Sequence, residues 1–142
     1  MSPAVASLRG ITEVWLAVYP LRSDLAAVID TSALRTKIEL KLREHGIQVF
    51  GPGDVGRLPT AGIGVDVNPV HSGTLWAIHL EVSVQQMATV SRTHSVDLAV
   101  TWRGGVTLLV DDDHVADRVL SGASDAIDQF LDAWLEANPP SR

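Results

Sequence analysis

The chain has 142 residues, and 46% of them are hydrophobic, which is enough for a core without cross-links. Its 17 acidic and 11 basic side chains give a formal charge of -6, which argues against a nucleic-acid binder because such proteins carry basic surfaces. The absence of cysteine excludes disulfides and thiolate metal sites, and no apolar run reaches the roughly 18 residues of a membrane span.

Residues 1–10 are predicted to form a flexible N-terminal tail in front of one domain at residues 11–140. Ala4 and Ala6 match the A-x-A pattern that ends a secretory signal, so this tail is a candidate remnant of signal cleavage. We therefore expect a periplasmic or secreted protein, with a cytoplasmic location as the alternative.

The first part of the domain reads as strand, helix and strand. Residues 12–19 alternate between apolar and polar positions, which predicts a half-buried strand. Residues 32–45 predict a helix, with Asp30 or Thr31 as its cap and Gly46 as its end. A short strand at residues 47–50 follows.

A loop rich in glycine and proline comes next, at residues 51–62. Its first six residues match G-x-G-x-x-G, but a dinucleotide site needs such a loop to open directly into a helix, and no helix can begin here. We therefore interpret this segment as a turn-rich connection.

Alternating apolar residues then predict further strands at residues 63–67, 76–84, 96–102 and 106–110. Gly104 and Gly105 are predicted to form the turn between the last two strands. The apolar phase becomes irregular at Gln85 and Gln86, which suggests a bulge. The short connections between these strands favour antiparallel pairing.

The segment from His114 to Asn138 predicts a long amphipathic helix with a wide apolar side and an acidic polar side. The helix at residues 32–45 is basic, so the two helices can lie side by side on one apolar face of the sheet. The predicted architecture is a two-layer α+β sandwich, with a largely antiparallel sheet of about five strands.

Two groups of polar residues are candidate sites. His79 and Glu81 point to the same side of one strand, and Asp97 has the matching phase on the next, so together they could hold a metal or perform acid–base chemistry. The alternative is the ordinary solvated face of an antiparallel sheet. The acidic run at residues 111–113 is expected to stabilise the start of the long helix rather than to bind a cation.

Aromatic and apolar residues indicate candidate contact surfaces. Trp15 and Tyr19 fall on the face of the first strand opposite its apolar stripe, and Leu40 points away from the apolar stripe of its helix. Exposed residues of these types are common at protein interfaces. A pocket near Trp76 and Trp134 would instead make the protein a carrier of a small ligand.

The order of elements resembles that of several small exported bacterial domains. These are the amino-terminal domain of the Tol-system propeller protein and the lipoprotein plug of the lipopolysaccharide export channel. The similarity is architectural and rests on four segments, Thr12–Tyr19, Ser32–Gly51, Ile63–Thr101 and His114–Pro139. What it implies is a non-catalytic accessory role in the bacterial envelope.

We therefore predict an accessory domain that acts through protein partners or self-association, without a cofactor and without binding nucleic acid. The alternatives are a small metal-dependent or hydrolytic enzyme that uses His79, Glu81 and Asp97, and a small-ligand carrier.

Overall fold

Five strands form one sheet, in the spatial order β2-β1-β3-β4-β5. A computed structural model describes residues 1–54 and 56–141. The strands are β1 (Glu13–Val18), β2 (Gln48–Phe50), β3 (Ala61–Ser72), β4 (Leu75–Thr89) and β5 (Val96–Asp111). The helices are α1 (Pro3–Ala6), α2 (Ser23–Ala26), α3 (Thr31–Glu44) and α4 (Val115–Ala137), and a 3-10 turn at Asp112–His114 precedes α4.

The sheet is parallel at one side and antiparallel at the other. β1 runs parallel to both β2 and β3. The crossover through α3 connects β1 to β2, and a second crossover after β2 leads to β3 on the other side of β1. The long strands β3, β4 and β5 pair antiparallel through short turns. The predicted α+β class is confirmed.

Helix α3 begins and ends at the residues that the sequence indicates. The Asp30 carboxylate accepts a hydrogen bond from the Ser32 amide at 2.9 Å, which satisfies one free amide of the first turn. Gly46, with φ of +81°, takes the left-handed conformation that reverses the chain after the helix. Leu34, Ile38 and Leu42 are fully buried between α3 and the sheet.

Helix α4 crosses the inner face of β4 and β5, and we call this helix-covered side of the sheet the inner face. Its apolar side is buried along most of its length, and Ile127 and Phe130 are fully buried. Gly122 allows this close packing, because a β-carbon there would lie 2.8 Å from Leu108 Cδ1. The two long helices also contact each other, since Lys41 Nζ lies 2.6 Å from Asp128 Oδ1.

The first ten residues pack against the domain. Leu8 is fully buried, and its carbonyl oxygen accepts a hydrogen bond from Asn138 Nδ2 at 3.0 Å. The same Asn138 side chain accepts from the Gly10 amide at 2.7 Å. Hydrogen bonds to Asn138 therefore tie the end of this segment, the predicted tail, to the end of α4.

Strand β5 is one continuous element of 16 residues, so the predicted turn at Gly104 and Gly105 is wrong. Both glycines lie inside the strand, at a place too crowded for side chains. A β-carbon on Gly105 would lie 2.3 Å from the Leu80 carbonyl oxygen, and one on Gly104 would lie 2.6 Å from the Trp102 ring. The predicted irregularity near Gln85 is confirmed, because the pairing of β4 and β5 shifts register between Val84 and Gln85.

This register shift changes which side of the sheet the start of β5 faces. Val84 pairs with Trp102 but Gln85 pairs with Val100, so Thr101 is the extra residue of a bulge. Trp102 is buried as predicted. Val96, Leu98 and Val100 are exposed on the opposite face, which corrects the prediction that they share one apolar stripe with Trp102.

Side chains occupy some of the backbone groups on the free edge of β5. Gln129 of α4 accepts a hydrogen bond from the Gly105 amide and donates one to the Gly105 carbonyl oxygen, both at 3.0 Å. Nearer the hairpin, Asp97 Oδ1 accepts from the Leu98 amide at 2.8 Å. Such bonds protect an edge strand against pairing with a strand of another molecule.

Within residues 1–54 and 56–141, no helix is both long enough and apolar enough to cross a membrane.

We expect Gln129→Ala to lower the free energy of unfolding by about 1 kcal/mol, because it removes two hydrogen bonds to Gly105. Urea denaturation measures this change. Asp125→Ala is the matched control, since Asp125 is also an exposed residue of α4, and its effect should stay within about 0.5 kcal/mol. Equal effects of the two substitutions would contradict the role given to Gln129.

Candidate functional site

The face of the sheet opposite the helices, which we call the outer face, carries exposed apolar side chains. Val70 of β3, Ala77 of β4 and Leu109 of β5 stand next to one another in register. Val70 is 70% exposed and Leu109 is 65% exposed. These three residues form a row across three strands, with a small side chain between two large ones.

A second apolar group lies at the other end of the outer face. Beyond Gln86, which pairs with the first residue of β3, β4 and β5 continue as a two-stranded ribbon. Met87, Leu98 and Val96 project from this ribbon into solvent. Isolated two-stranded ribbons are only marginally stable in water, so this one depends on the rest of the sheet.

A polar belt separates the two apolar groups. Asp66 and Glu81 are direct neighbours on β3 and β4. Arg103 Nε lies 3.2 Å from Glu81 Oε1, while Asp66 accepts a hydrogen bond from Asn68 Nδ2 at 2.9 Å. Among the described residues, no ion pair compensates the charge of Asp66.

The structure brings together only two of the three residues of the predicted metal site. His79 Nε2 lies 3.8 Å from Glu81 Oε2, and His79 Nδ1 lies 3.1 Å from Thr107 Oγ1. Asp97 pairs with Ala88, seven residues along β4 from Glu81, and the bulge places it on the other face of the sheet. Within the described part of the chain, no three histidine, aspartate or glutamate residues are grouped so that they could hold a metal ion.

The predicted contact residues lie on two different surfaces. Trp15 and Tyr19 are on the outer face, where Trp15 covers Gly62 and Tyr19 covers Gly64. Trp15 is half-buried, and the Tyr19 hydroxyl accepts a hydrogen bond from Gln85 Nε2 at 2.8 Å. Leu40 is 57% exposed on the solvent side of α3, across the molecule from this pair.

The tryptophans of the predicted ligand pocket contribute to the packing of the chain. Trp76 stacks on His71 with ring centroids 3.9 Å apart, and its Nε1 donates to Asp112 Oδ1 at 2.5 Å. Trp134 Nε1 donates to the Ile11 carbonyl oxygen at 2.8 Å. The four main pockets of the described chain have neither tryptophan in their walls.

A pocket of about 380 Å³ lies instead at the carboxyl ends of β1 and β2. It occupies the side of β1 from Leu16 to Val18, where β2 has already ended, because the β1–β2 pairing stops at Trp15 and Phe50. Its walls are built from β1, from one residue of α3 and from the loop after β2. The lining residues are Trp15, Leu16, Ala17, Val18, Arg35, Gly51, Pro52, Asp54 and Leu58.

Arg35 is the basic residue of this pocket, and its guanidinium group is only partly used by the protein. Nη1 donates to the Leu16 carbonyl oxygen at 2.8 Å, and Nε lies 2.8 Å from Glu39 Oε1. Nη2 is buried without a hydrogen-bond partner in the described chain. A β-carbon on Gly51 would lie 2.4 Å from Nη2, so a larger residue at position 51 would have to displace the guanidinium group.

Sequence reasoning missed this pocket. Arg35 reads as one more member of the basic side of its helix, and the glycines after β2 read as a plain turn. The i, i+4 pair of Arg35 and Glu39 is visible in the sequence, but the gap beside β1 depends on where β2 ends.

The loop that forms one wall of the pocket is tied back to the sheet. Arg57 donates two hydrogen bonds to the Glu13 carboxylate, at 2.6 and 3.0 Å. These bonds lower the pKa of Glu13 and raise that of Arg57, because each charged form stabilises the other. Asp54 Oδ2 accepts from the Gly51 amide at 2.6 Å and so shapes the loop from within.

The acidic run before α4 behaves differently from the prediction. None of its carboxylates caps the helix, and His114 is the N-cap residue without a side-chain bond to it. His114 Nδ1 instead lies 2.6 Å from Asp111 Oδ1. This contact raises the pKa of His114 and lowers that of Asp111, and both side chains are largely exposed.

No protein-family model matches the chain, and no curated protein matches its sequence. Three solved bacterial structures are similar in shape. A PelC variant from Paraburkholderia phytofirmans, described as a dodecamer, has 14% identity and a TM-score of 0.47 over 92% of this chain and 89% of its own.

The other two are described as lipoproteins. A minor lipoprotein from Acinetobacter baumannii has 12% identity and a TM-score of 0.38, over 89% of this chain and 93% of its own. A lipoprotein from Caulobacter crescentus CB15 has 13% identity and a TM-score of 0.40, over 99% and 100% of the two chains.

The Glu13–Arg57 ion pair is expected to make the stability of the protein depend on pH. Because the folded-state pKa of Glu13 is lowered, the pair contributes to stability above the ordinary glutamate pKa, and this contribution is lost as the pH falls through the folded-state value. An NMR titration of the Glu13 carboxyl should give a pKa below its ordinary value, and Arg57→Ala should return it toward that value. Arg118→Ala, an exposed arginine on α4, is the control and should leave the titration unchanged. An unchanged Glu13 pKa in Arg57→Ala would contradict the pairing.

Proposed function

We propose that this domain is a non-catalytic accessory module that associates with a second copy of itself through the outer face of its sheet. The observation that carries the proposal is the row of Val70, Ala77 and Leu109, which leaves large apolar side chains in water. Exposed apolar surface of this kind is typical of interaction sites.

The row is complementary to itself, and this favours a second copy over a different partner. When two copies stack face to face about a two-fold axis along β4, β3 of one copy lies over β5 of the other. Val70 then meets the partner's Leu109, and the two small Ala77 side chains meet at the axis. A two-fold contact requires this kind of self-complementary patch.

The charges are compatible with this arrangement if Arg103 pairs with two carboxylates, because Glu81 also lies on β4 at the axis and faces its own copy. With β3 over β5, Asp66 of one copy faces Gly105 of the other, which has no side chain to occupy the space. Arg103 is the preceding residue on the same face, roughly 7 Å along the strand. Its guanidinium can reach the Asp66 carboxylate of the other copy, which has no basic partner within its own described chain.

The side-chain bonds at the edge of β5 support a contact through the face rather than through strand pairing. Gln129 and Asp97 occupy backbone groups at this edge, so a strand from another molecule would have to displace them. From strand spacing and strand length, the area of the outer face is roughly 700 Å². A standard interface buries about 800 Å² on each partner.

The exported location that Ala4 and Ala6 predict is kept as part of the proposal, and a full-length reading frame with an upstream signal would test it.

Sedimentation equilibrium tests the proposed dimer. We expect the wild-type chain to dimerise and Leu109→Ala to weaken dimerisation roughly 100-fold, because each dimer loses two buried leucines. Leu40→Ala removes an exposed leucine from the opposite side of the molecule and should leave the dimer unchanged. A wild-type chain that stays monomeric would contradict the proposal, as would a dimer that only Leu40→Ala weakens.

Charge reversal gives an independent check on the orientation of the two copies. Arg103→Asp should weaken dimerisation because it places a second carboxylate near Asp66 of the other copy. The double variant Asp66→Arg with Arg103→Asp should restore it, because the pair is rebuilt with opposite signs. If the double variant is weaker than Arg103→Asp alone, the two residues do not meet across the interface.

A further inference from the structure

We propose that the pocket at the end of β1 binds a neutral amide carbonyl attached to a small apolar group. This site is separate from the row of Val70, Ala77 and Leu109, because it is built from β1, α3 and the loop after β2, although its Trp15 also lies on the outer face. Its volume of about 380 Å³ is at the lower end of the range for small-molecule sites.

The guanidinium of Arg35 in the pocket wall contains an unsatisfied donor that an oxygen acceptor could pair with. Two of the three nitrogens of Arg35 are engaged by Leu16 and Glu39, and Nη2 is buried without a hydrogen-bond partner among residues 1–54 and 56–141. A buried donor without an acceptor is destabilising, so an oxygen placed there removes an existing cost. Within the described part of the chain Nη2 alone lacks a partner, and a single donor suits one carbonyl oxygen better than the bidentate pairing of a carboxylate.

The charges around Arg35 favour a neutral ligand. Glu39 already compensates the guanidinium at 2.8 Å, and Asp54 adds a negative charge to the pocket wall. An anionic ligand would therefore enter a site whose net charge is not positive, and Asp54 would repel it.

The apolar residues of the pocket favour an apolar group next to the carbonyl of the ligand. Trp15, Pro52 and Leu58 present apolar surface to the pocket, and Leu58 is 57% exposed in the free protein. An apolar group on the ligand would cover Leu58 and the Trp15 ring. Val18 lies on the part of β1 that β2 does not pair, so a longer extended peptide could continue along this edge.

Binding is expected to move Gly51, since Gly51 lies against Nη2 and solvent does not reach this nitrogen in the free chain. The Gly51 amide therefore reports directly on occupation of the site, and the Trp15 indole reports on the apolar wall.

NMR titration of the full chain with N-acetyl-leucine N′-methylamide tests the proposal. We expect saturable shifts of the Trp15 indole and Gly51 amide signals. Arg35→Lys, which keeps a cation but loses Nη2, should weaken binding about tenfold. N-acetyl-leucine, the anionic analogue, should bind more weakly than the amide. Absence of saturable shifts, or equal binding of the acid and the amide, would overturn the proposal.

Variants of two equally exposed leucines keep the test valid if Arg35→Lys fails to fold. Leu58→Ala should weaken binding roughly fivefold, and Leu40→Ala should leave it unchanged. Equal affinities of these two variants would overturn the proposal. A dipeptide amide, N-acetyl-Leu-Leu N′-methylamide, distinguishes a peptide ligand from a small amide ligand. Tighter binding of the dipeptide supports a peptide, and equal binding supports a small amide.

Discussion

The packing of α4 across the inner face of β4 and β5 is the contact on which the other features of this protein depend. One amphipathic helix can cover only one side of a sheet, so burial of Ile127 and Phe130 leaves the outer face without a helix. The same helix sends Gln129 around the edge of β5 to Gly105. The position of α4 therefore explains both the side-chain bonds at the edge of β5 and the exposure of the outer face.

The helices bury the apolar inner face of the sheet. The outer face faces solvent, but it is not uniformly polar as the solvated face of an antiparallel sheet usually is. Val70 and Leu109 stand at one end and the ribbon of β4 and β5 at the other, with Asp66, Glu81 and Arg103 between them. A second copy that covers this face would bury the apolar rows and give Asp66 a basic partner. The pocket beside β1 has a separate origin, because it depends on how early β2 ends.

Local patterns in the sequence were sufficient to predict α3, α4 and the inner side of β1. In each of these elements the apolar period matches the final burial, as for Leu34, Ile38 and Leu42. The prediction failed in β5, where one extra residue at Thr101 inverts the apolar phase and turns Val96, Leu98 and Val100 to the outer face. Gly104 and Gly105 resemble a turn in the sequence, but they are needed in the strand because Trp102 and Leu80 approach too closely for a side chain.

The candidate sites were harder to predict because they depend on distant residues. The phase of Asp97 places it beside His79 and Glu81 only if β5 has no bulge. Arg35 lines the pocket because the chain after β2 brings Gly51 next to its guanidinium group. Trp15 and Tyr19 lie on the outer face, where their rings pack over Gly62 and Gly64, and this contact depends on residues of β3.

Cross-linking of single cysteines tests the face-to-face dimer most directly, because the natural chain contains no cysteine. Ala77→Cys places a thiol on β4 at the proposed two-fold axis, and Leu40→Cys places one on the opposite side of the molecule. With a short bismaleimide, we expect a covalent dimer of Ala77→Cys at micromolar protein and none of Leu40→Cys. A covalent dimer of Leu40→Cys alone, or none of either variant, would contradict the face-to-face dimer.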